Sequence, residues 1–229
     1  MVRAVPQHVK TNGTMAHARV NRKGAARWLH GHPWIFRSDV LDVPTVPAGA
    51  VKVLHEGNRV LGSALWSPHS QISLRMVSSA DGELNFAFWK ERMAHAIAYR
   101  TLLSINANAY RLVHGEADGL PSLIVDRYGD YLVAQFLSAG LERYREHIVR
   151  ALVELTEAKG LLARNDVTVR RAEVLPEEVT LLHGQVPEEV EIQENGIPYL
   201  AAPWTGQKTG AFLDQRENRA RVSELAGGR

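Results

Sequence analysis

A chain of 229 residues with 45% hydrophobic and 23% charged residues can bury a core in one or two domains and has an ordinary globular composition. It contains no cysteine, which excludes disulfides, cysteine-ligated zinc and a cysteine nucleophile among these residues. The net charge of +2 conceals an asymmetry: residues 1–38 hold seven basic side chains and no acid, leaving 20 basic against 25 acidic residues in the remainder. A polycation attached to a mildly acidic body is the footprint expected for a polyanion partner such as RNA, and a solvated basic tail is the plainer alternative. There is no run of eighteen apolar residues, and the N-terminus has neither the apolar segment nor the cleavage site of a signal peptide. On these grounds the chain is expected to be cytoplasmic, with no membrane partner.

In chain order, residues 1–15 read as a basic extension. "KGAARWLHGHPWIF" predicts a short helix stopped at Gly31 or Pro33. Through residue 78, short apolar runs broken by Pro44, Pro47, Gly49, Gly57, Asn58, Gly62 and Pro68 predict short strands in a small barrel or sandwich. Residues 84–104 predict a helix, with Phe86, Trp89, Met93 and Ile97 at three- and four-residue steps, suited to connect two domains. From 110, apolar runs split by Gly/Asp/Pro and Tyr-Gly-Asp turns predict a three-stranded meander. "LERYREHIVRALVELTEAKG" is helical by period, with Ile148, Leu152 and Leu155 on one face and Gly160 as its expected stop. "ARNDVTV" predicts a strand, and "EVEIQENG" with "IPYLAA" predicts a hairpin turning at Asn195-Gly196. Strands, helix and strands make an α+β domain.

The chemical search finds no GxGxxG, no phosphate-binding glycine loop and no GxSxG elbow. His114, Glu116, Asp118 and Asp126 lie close together, but a turn separates them, so strand-end hydrogen bonding is expected rather than a metal site. His30 and His32 lack a third ligand nearby. Arg22, Lys23, Arg27, His32, Trp34 and Arg37 interleave cation and ring, as phosphate neutralisation and base stacking require. Within that set Trp34 is expected in the barrel core. Asp214 suits the N-cap of a helix beginning "QRENRARVSEL".

Three ordered segments carry a resemblance: "WLHGHPWIFRSDV" with "LGSALWSPHSQISLRM", then "YRLVHGEADGLPSLIVDRYGDYLVAQ", then "GQKTGAFLDQRENR". From about residue 17 to the end, the chain resembles the class I S-adenosylmethionine-dependent 23S rRNA cytosine-C5 methyltransferases with an N-terminal PUA domain. Ala211 stands where the family usually has an aromatic residue, and Glu217 where it usually has Asp. The resemblance implies an α+β multidomain protein. Its parts are a PUA-like small β-barrel at 16–82 that binds RNA, a connecting helix at 83–106, a middle domain of strands, helix and strands at 107–202, and the start of a Rossmann-like methyltransferase domain at 203–229. It further implies S-adenosylmethionine as cofactor, with Phe212, Leu213, Asp214, Gln215 and Arg216 beside it; the residue types agree, since Gln215 can hydrogen-bond and Arg216 can pair with a carboxylate. RNA, as 23S rRNA, is the implied partner; Arg22, Lys23, Arg27, His32, Arg37 and Arg75 are its candidate contacts, and a homodimer is compatible. Methylation at cytosine C5 needs a thiolate to attack C6, and the chain has none. The expectation is therefore a chain truncated before the catalytic domain and inactive alone, with a free-standing PUA-type RNA-binding adaptor as the alternative.

Overall fold

The turn residues cut the first third of the chain into short strands because each leaves the strand region of backbone space. The computed structural model describes residues 15–226, so the basic extension, up to residue 14, lies outside the described residues. Its first sheet is built from β1 (His17–Val20), β2 (Trp34–Phe36), β3 (Val40–Asp42), β4 (Gly49–Leu54), β5 (Val60–Trp66) and β6 (Ile72–Ser78), in the order β2-β6-β5-β4-β1-β3. Helix α1 (Arg22–Leu29) is capped by Asn21, whose side chain accepts the Gly24 N–H at 2.8 Å, and Gly31 turns the chain out at φ 75°. Trp28, Ile35, Val51, Val53, Trp66 and Leu74 fill the core of this unit.

A second sheet follows, formed by β7 (Ala109–His114), β8 (Leu123–Tyr128), β9 (Tyr131–Phe136), β10 (Gly160–Arg164) and β11 (Val179–Gly184), in the order β11-β10-β9-β8-β7. All neighbours are antiparallel except β9 and β10. That parallel pair needs a crossover, which α3 (Ala139–Glu142) and α4 (Arg145–Thr156) supply. Helix α2 (Phe86–Leu102) runs between the last barrel strand and β7. Its Trp89, Met93 and Ala96 are buried with Ile148, Ala151 and Leu152 of α4 over Leu112, Val125, Leu132 and Phe136 of the sheet. It is a layer of the middle domain, and Leu65 and Val77 of the barrel join the same cluster.

Two local expectations are corrected. Helix α4 ends at Thr156 with Glu157 in the left-handed region at φ 52°, so Gly160 is not its stop. Gly160 opens β10, where a Cβ would meet the Gln185 carbonyl oxygen at 2.1 Å: the glycine serves close backbone approach. "ARNDVTV" is a strand only as far as Arg164. The Asn165 side chain then accepts the Phe136 N–H at 2.9 Å, and Val169 begins the short α5 (Val169–Ala172).

The hairpin β12 (Val190–Glu194) and β13 (Ile197–Ala201) turns at Asn195 and Gly196, with φ 52° and 81°. Its Val190, Ile192 and Ala201 cover Ala109, Tyr128 and Val133 on the face of the second sheet opposite the helices. A 3-10 turn at Leu213–Gln215 and α6 (Arg216–Leu225) end the described chain, and α6 buries none of its residues. Among the described residues no helix is long and apolar enough to cross a membrane.

Candidate functional site

Strand β8 alternates so that Asp126 and Tyr128 emerge on the hairpin side of the sheet, an acid and a phenol among apolar neighbours. Their partners arrive from the turn at 206–211. Thr209, 1% exposed, donates its hydroxyl to Asp126 Oδ2 at 2.5 Å and lies 2.9 Å from the Tyr128 hydroxyl. Because Thr209 has only that proton, Tyr128 donates to it, and Tyr128 in turn accepts the Ala211 N–H at 3.1 Å. Arg111 of β7 grips both oxygens of Asp126 at 2.9 and 3.0 Å. The hydrogen bond from Arg111 to Asp126 raises the arginine pKa, and burial pushes the Tyr128 phenol up to about 12.

Arg164 holds the other end of the turn, donating to the Pro203 and Gly206 carbonyls at 2.7 and 3.1 Å while its fork takes both oxygens of Asp166 at 3.0 Å. Gly206 admits no side chain, since a Cβ would lie 2.4 Å from the Gly210 carbonyl oxygen. The motif is thus bolted to the middle sheet, with Leu213 and Ala211 packed on its apolar cluster.

Where the hairpin stops short, the sheet face stays open and forms the floor of a cavity of about 550 Å³. Arg111 and Gln135 line it from the sheet, Tyr110 and His114 from β7, and Lys208, Asp214 and Arg216 from the motif. Lys208, at φ 58°, sets its ammonium 2.7 Å from Asp214 Oδ2 and 4.8 Å from the centre of the Phe212 ring. That hydrogen bond holds the Asp214 carboxyl below the usual range. Asp214 does not cap α6, whose N-cap is Gln215 with no side-chain cap bond. Of the five residues expected beside a cofactor, Leu213, Asp214 and Arg216 line this cavity; Phe212 is exposed, and the Gln215 side chain accepts from Asn218 Nδ2 at 2.7 Å. Arg219, outside that set, clamps Glu194 of the hairpin at 2.8 and 2.6 Å and so ties α6 down.

The basic candidates separate into two groups. Arg22, Lys23, His32 and Arg37 are exposed on the first unit, and Arg27 beside them is half-buried, 3.4 Å from Asp39 Oδ2 and stacked on Phe36 at 4.7 Å. Arg75 is not part of that surface: it is 5% exposed and paired with Glu173 of the middle domain at 2.8 Å. Trp34 is likewise not core; half-buried, it donates Nε1–H to Glu116 Oε1 at 2.8 Å across the same junction. Of the four groups close in sequence, the three acids each hold a side-chain partner. Asp118 pairs with Arg100 through two 2.7 Å bonds and accepts the His114 N–H, Glu116 holds Trp34, and Asp126 holds Arg111.

Sequence reasoning missed Thr209, Asp126, Gln135 and Arg164 as a set. An acid embedded in the apolar run "LIVDRY" was the one available signal, since a buried carboxylate requires partners.

Residues 18–79 match the model of a PUA-like domain. Over 205 residues the chain is 40% identical to the ribosomal RNA large subunit methyltransferase I of Tolumonas auensis, covering 86% of this chain and 52% of that protein. Over 203 residues it is 38% identical to the protein of the same name in Pseudoalteromonas atlantica, with 86% and 51% covered. The chain spans about half the length of the curated relatives it matches. Among solved structures it is similar to a Streptococcus mutans protein described as a SAM-dependent methyltransferase, at TM-score 0.78 and 23% identity, over 93% of this chain and 55% of that one. A further methyltransferase structure, solved complexed with SAH, also gives TM-score 0.78, with 91% and 53% covered. The barrel, and the middle sheet that floors the cavity, therefore belong to a fold shared with methyltransferase structures, in a chain similar to about half of a ribosomal RNA methyltransferase.

Proposed function

We propose that these 229 residues form the RNA-binding and substrate-positioning part of an S-adenosylmethionine-dependent rRNA methyltransferase acting in the cytoplasm on cytosine C5 of 23S rRNA. The observation that carries the reading is the anchored motif: Thr209 locks its turn to Asp126, so that Asp214 and Arg216 form one wall of a cavity whose floor is the middle sheet. The residues present fit the cofactor. Arg216 bonds Glu217 through Nε and Nη2, and its Nη1 has no partner among the described residues, which leaves a donor for a carboxylate. Phe212, Leu213, Asp214, Gln215 and Arg216 would stand beside the cofactor, which supplies an electrophilic methyl group when bound. This chain's residues hold and orient it; the thiolate that activates cytosine is not among them.

Arg22, Lys23, Arg27, His32 and Arg37 would meet phosphates and bases on the PUA-like barrel. Arg75 is left out because its charge is spent on Glu173.

The test is binding of the chain to a 23S rRNA transcript across a salt series, compared with a variant carrying Arg22→Ala, Lys23→Ala and Arg37→Ala. Affinity should fall in the variant, and the slope of log affinity against log salt should drop by about one for each phosphate no longer neutralised. Equal, salt-insensitive curves would refute RNA binding by this surface. Transfer of a labelled methyl group by the 229 residues alone would refute the positioning role.

A further inference from the structure

Resting on that reading, we propose that the cavity receives one unstacked cytosine of the RNA and that the Gln135 side-chain carbonyl reads its exocyclic amine. A methyl group passes only between atoms in near contact, so a base must lie within about 3–3.5 Å of the donor. If the motif wall faces the cofactor, the base lies against the remaining lining, where α2 and its C-cap contribute Tyr99, Arg100 and Leu103 and the sheet contributes its polar groups and rings from Tyr110, Arg111 and His114 of β7 and Gln135 of β9. The register sets His114 opposite Ile124, and Ile124 opposite Gln135, in one row across the sheet. The volume of about 550 Å³ lies in the range of pockets that enclose small molecules.

The amide orientation gives the specificity. Gln135 Nε2 donates to the Arg164 carbonyl at 3.0 Å, and a backbone carbonyl can only accept, so the amide is fixed with Oε1 free to accept. Among the described residues Oε1 makes no hydrogen bond. Cytosine carries an amino donor at C4 where uracil carries a carbonyl acceptor. An oriented acceptor favours the first, and against uracil it sets two acceptors face to face. Tyr110, whose hydroxyl has no partner among the described residues, and His114 offer ring faces on which an extruded base stacks. Arg111 keeps Nη1 unpaired beside them, among the described residues, while Nε and Nη2 hold Asp126, which leaves a donor for the backbone phosphate or the base carbonyl.

The experiment uses the full chain and two 23S rRNA transcripts, one substituted with 5-iodocytidine and one with 5-iodouridine, irradiated and mapped by peptide mass spectrometry. The halogen sits on the carbon that the methyl group would take. Cross-links to the peptide containing Tyr110 and His114 are expected from the cytidine transcript, at least fivefold above the uridine transcript. Gln135→Leu should remove that preference while the slope of log affinity against log salt, set by phosphate contacts elsewhere, stays the same. Equal yields from the two transcripts on the unaltered chain would overturn the assignment without reliance on a variant. So would unchanged preference in Gln135→Leu, or cross-links confined to the barrel. In each of these cases RNA still binds and the proposed function stands, whereas absence of any RNA binding would defeat both.

Discussion

Thr209 donates its hydroxyl to Asp126 Oδ2 at 2.5 Å from a turn 83 residues further along the chain. This bond joins the last polar motif to the middle sheet, and Tyr128 completes it by bonding both Thr209 and the Ala211 amide. The motif is therefore held to the sheet through its own turn, while α6, none of whose residues is buried, adds the Arg219 bond to the Phe212 carbonyl at 3.1 Å.

Replacement Thr209→Val preserves shape but takes one of two donors from Asp126 Oδ2, leaving Arg111, and leaves the buried Tyr128 hydroxyl proton without an acceptor. The expected drop in stability is about 1–3 kcal/mol, read by urea denaturation. Tyr128→Phe breaks the same network, so the double variant should be destabilised by less than the two single changes together. Strict additivity would show that the groups do not act as a unit.

The Tyr128 phenol makes a pH prediction. Burial lifts its folded pKa to about 12 from an ordinary value of 10.0. The folded state then binds the proton more tightly than the unfolded state. The stability tied to it is complete below pH 10 and is lost as pH rises toward 12. Denaturation midpoints measured through that window should fall more steeply for the unaltered chain than for Tyr128→Phe.

Arg75 and Glu173 form a buried ion pair between barrel and middle domain, reinforced by the Ala139 N–H on Glu173 Oε2 at 3.1 Å. Glu173→Leu leaves an uncompensated guanidinium and should cost about 3–5 kcal/mol. Arg75→Met with Glu173→Leu should recover most of that, as measured by chemical denaturation. RNA affinity of the double variant should match the unaltered chain, since Arg75 lies outside the exposed basic surface.

Arg164→Lys keeps the charge but cannot bond two carbonyls and a carboxylate at once. Faster amide exchange at Gly210 and Ala211 is expected, with β10 itself still protected. Unchanged exchange at those amides would mean the turn is held without Arg164.

Much of the local structure was legible in the sequence. Helix α2 announced itself by Phe86, Trp89 and Met93 at helical spacing, and the hairpin by Asn195-Gly196, because periodicity and turn chemistry act over a few residues. The stop of α4 was misplaced because Gly160 answers to Gln185, a neighbour 25 residues away whose carbonyl leaves no room for a Cβ. Strand β11 and the short α5 had no comparably clear local pattern.

For the site, the sequence by itself determined the basic segment and the motif's residue types, which set what charge and hydrogen bonding were on offer. Only the tertiary structure decided where they act. It moved Arg75 off the surface and into an ion pair, made α2 a layer of the middle domain, and turned Trp34 toward Glu116. It also set Gln135, Arg111 and the motif around one cavity. The physical reason is that these relationships join residues tens of positions apart, through burial and sheet register that no local window of sequence contains.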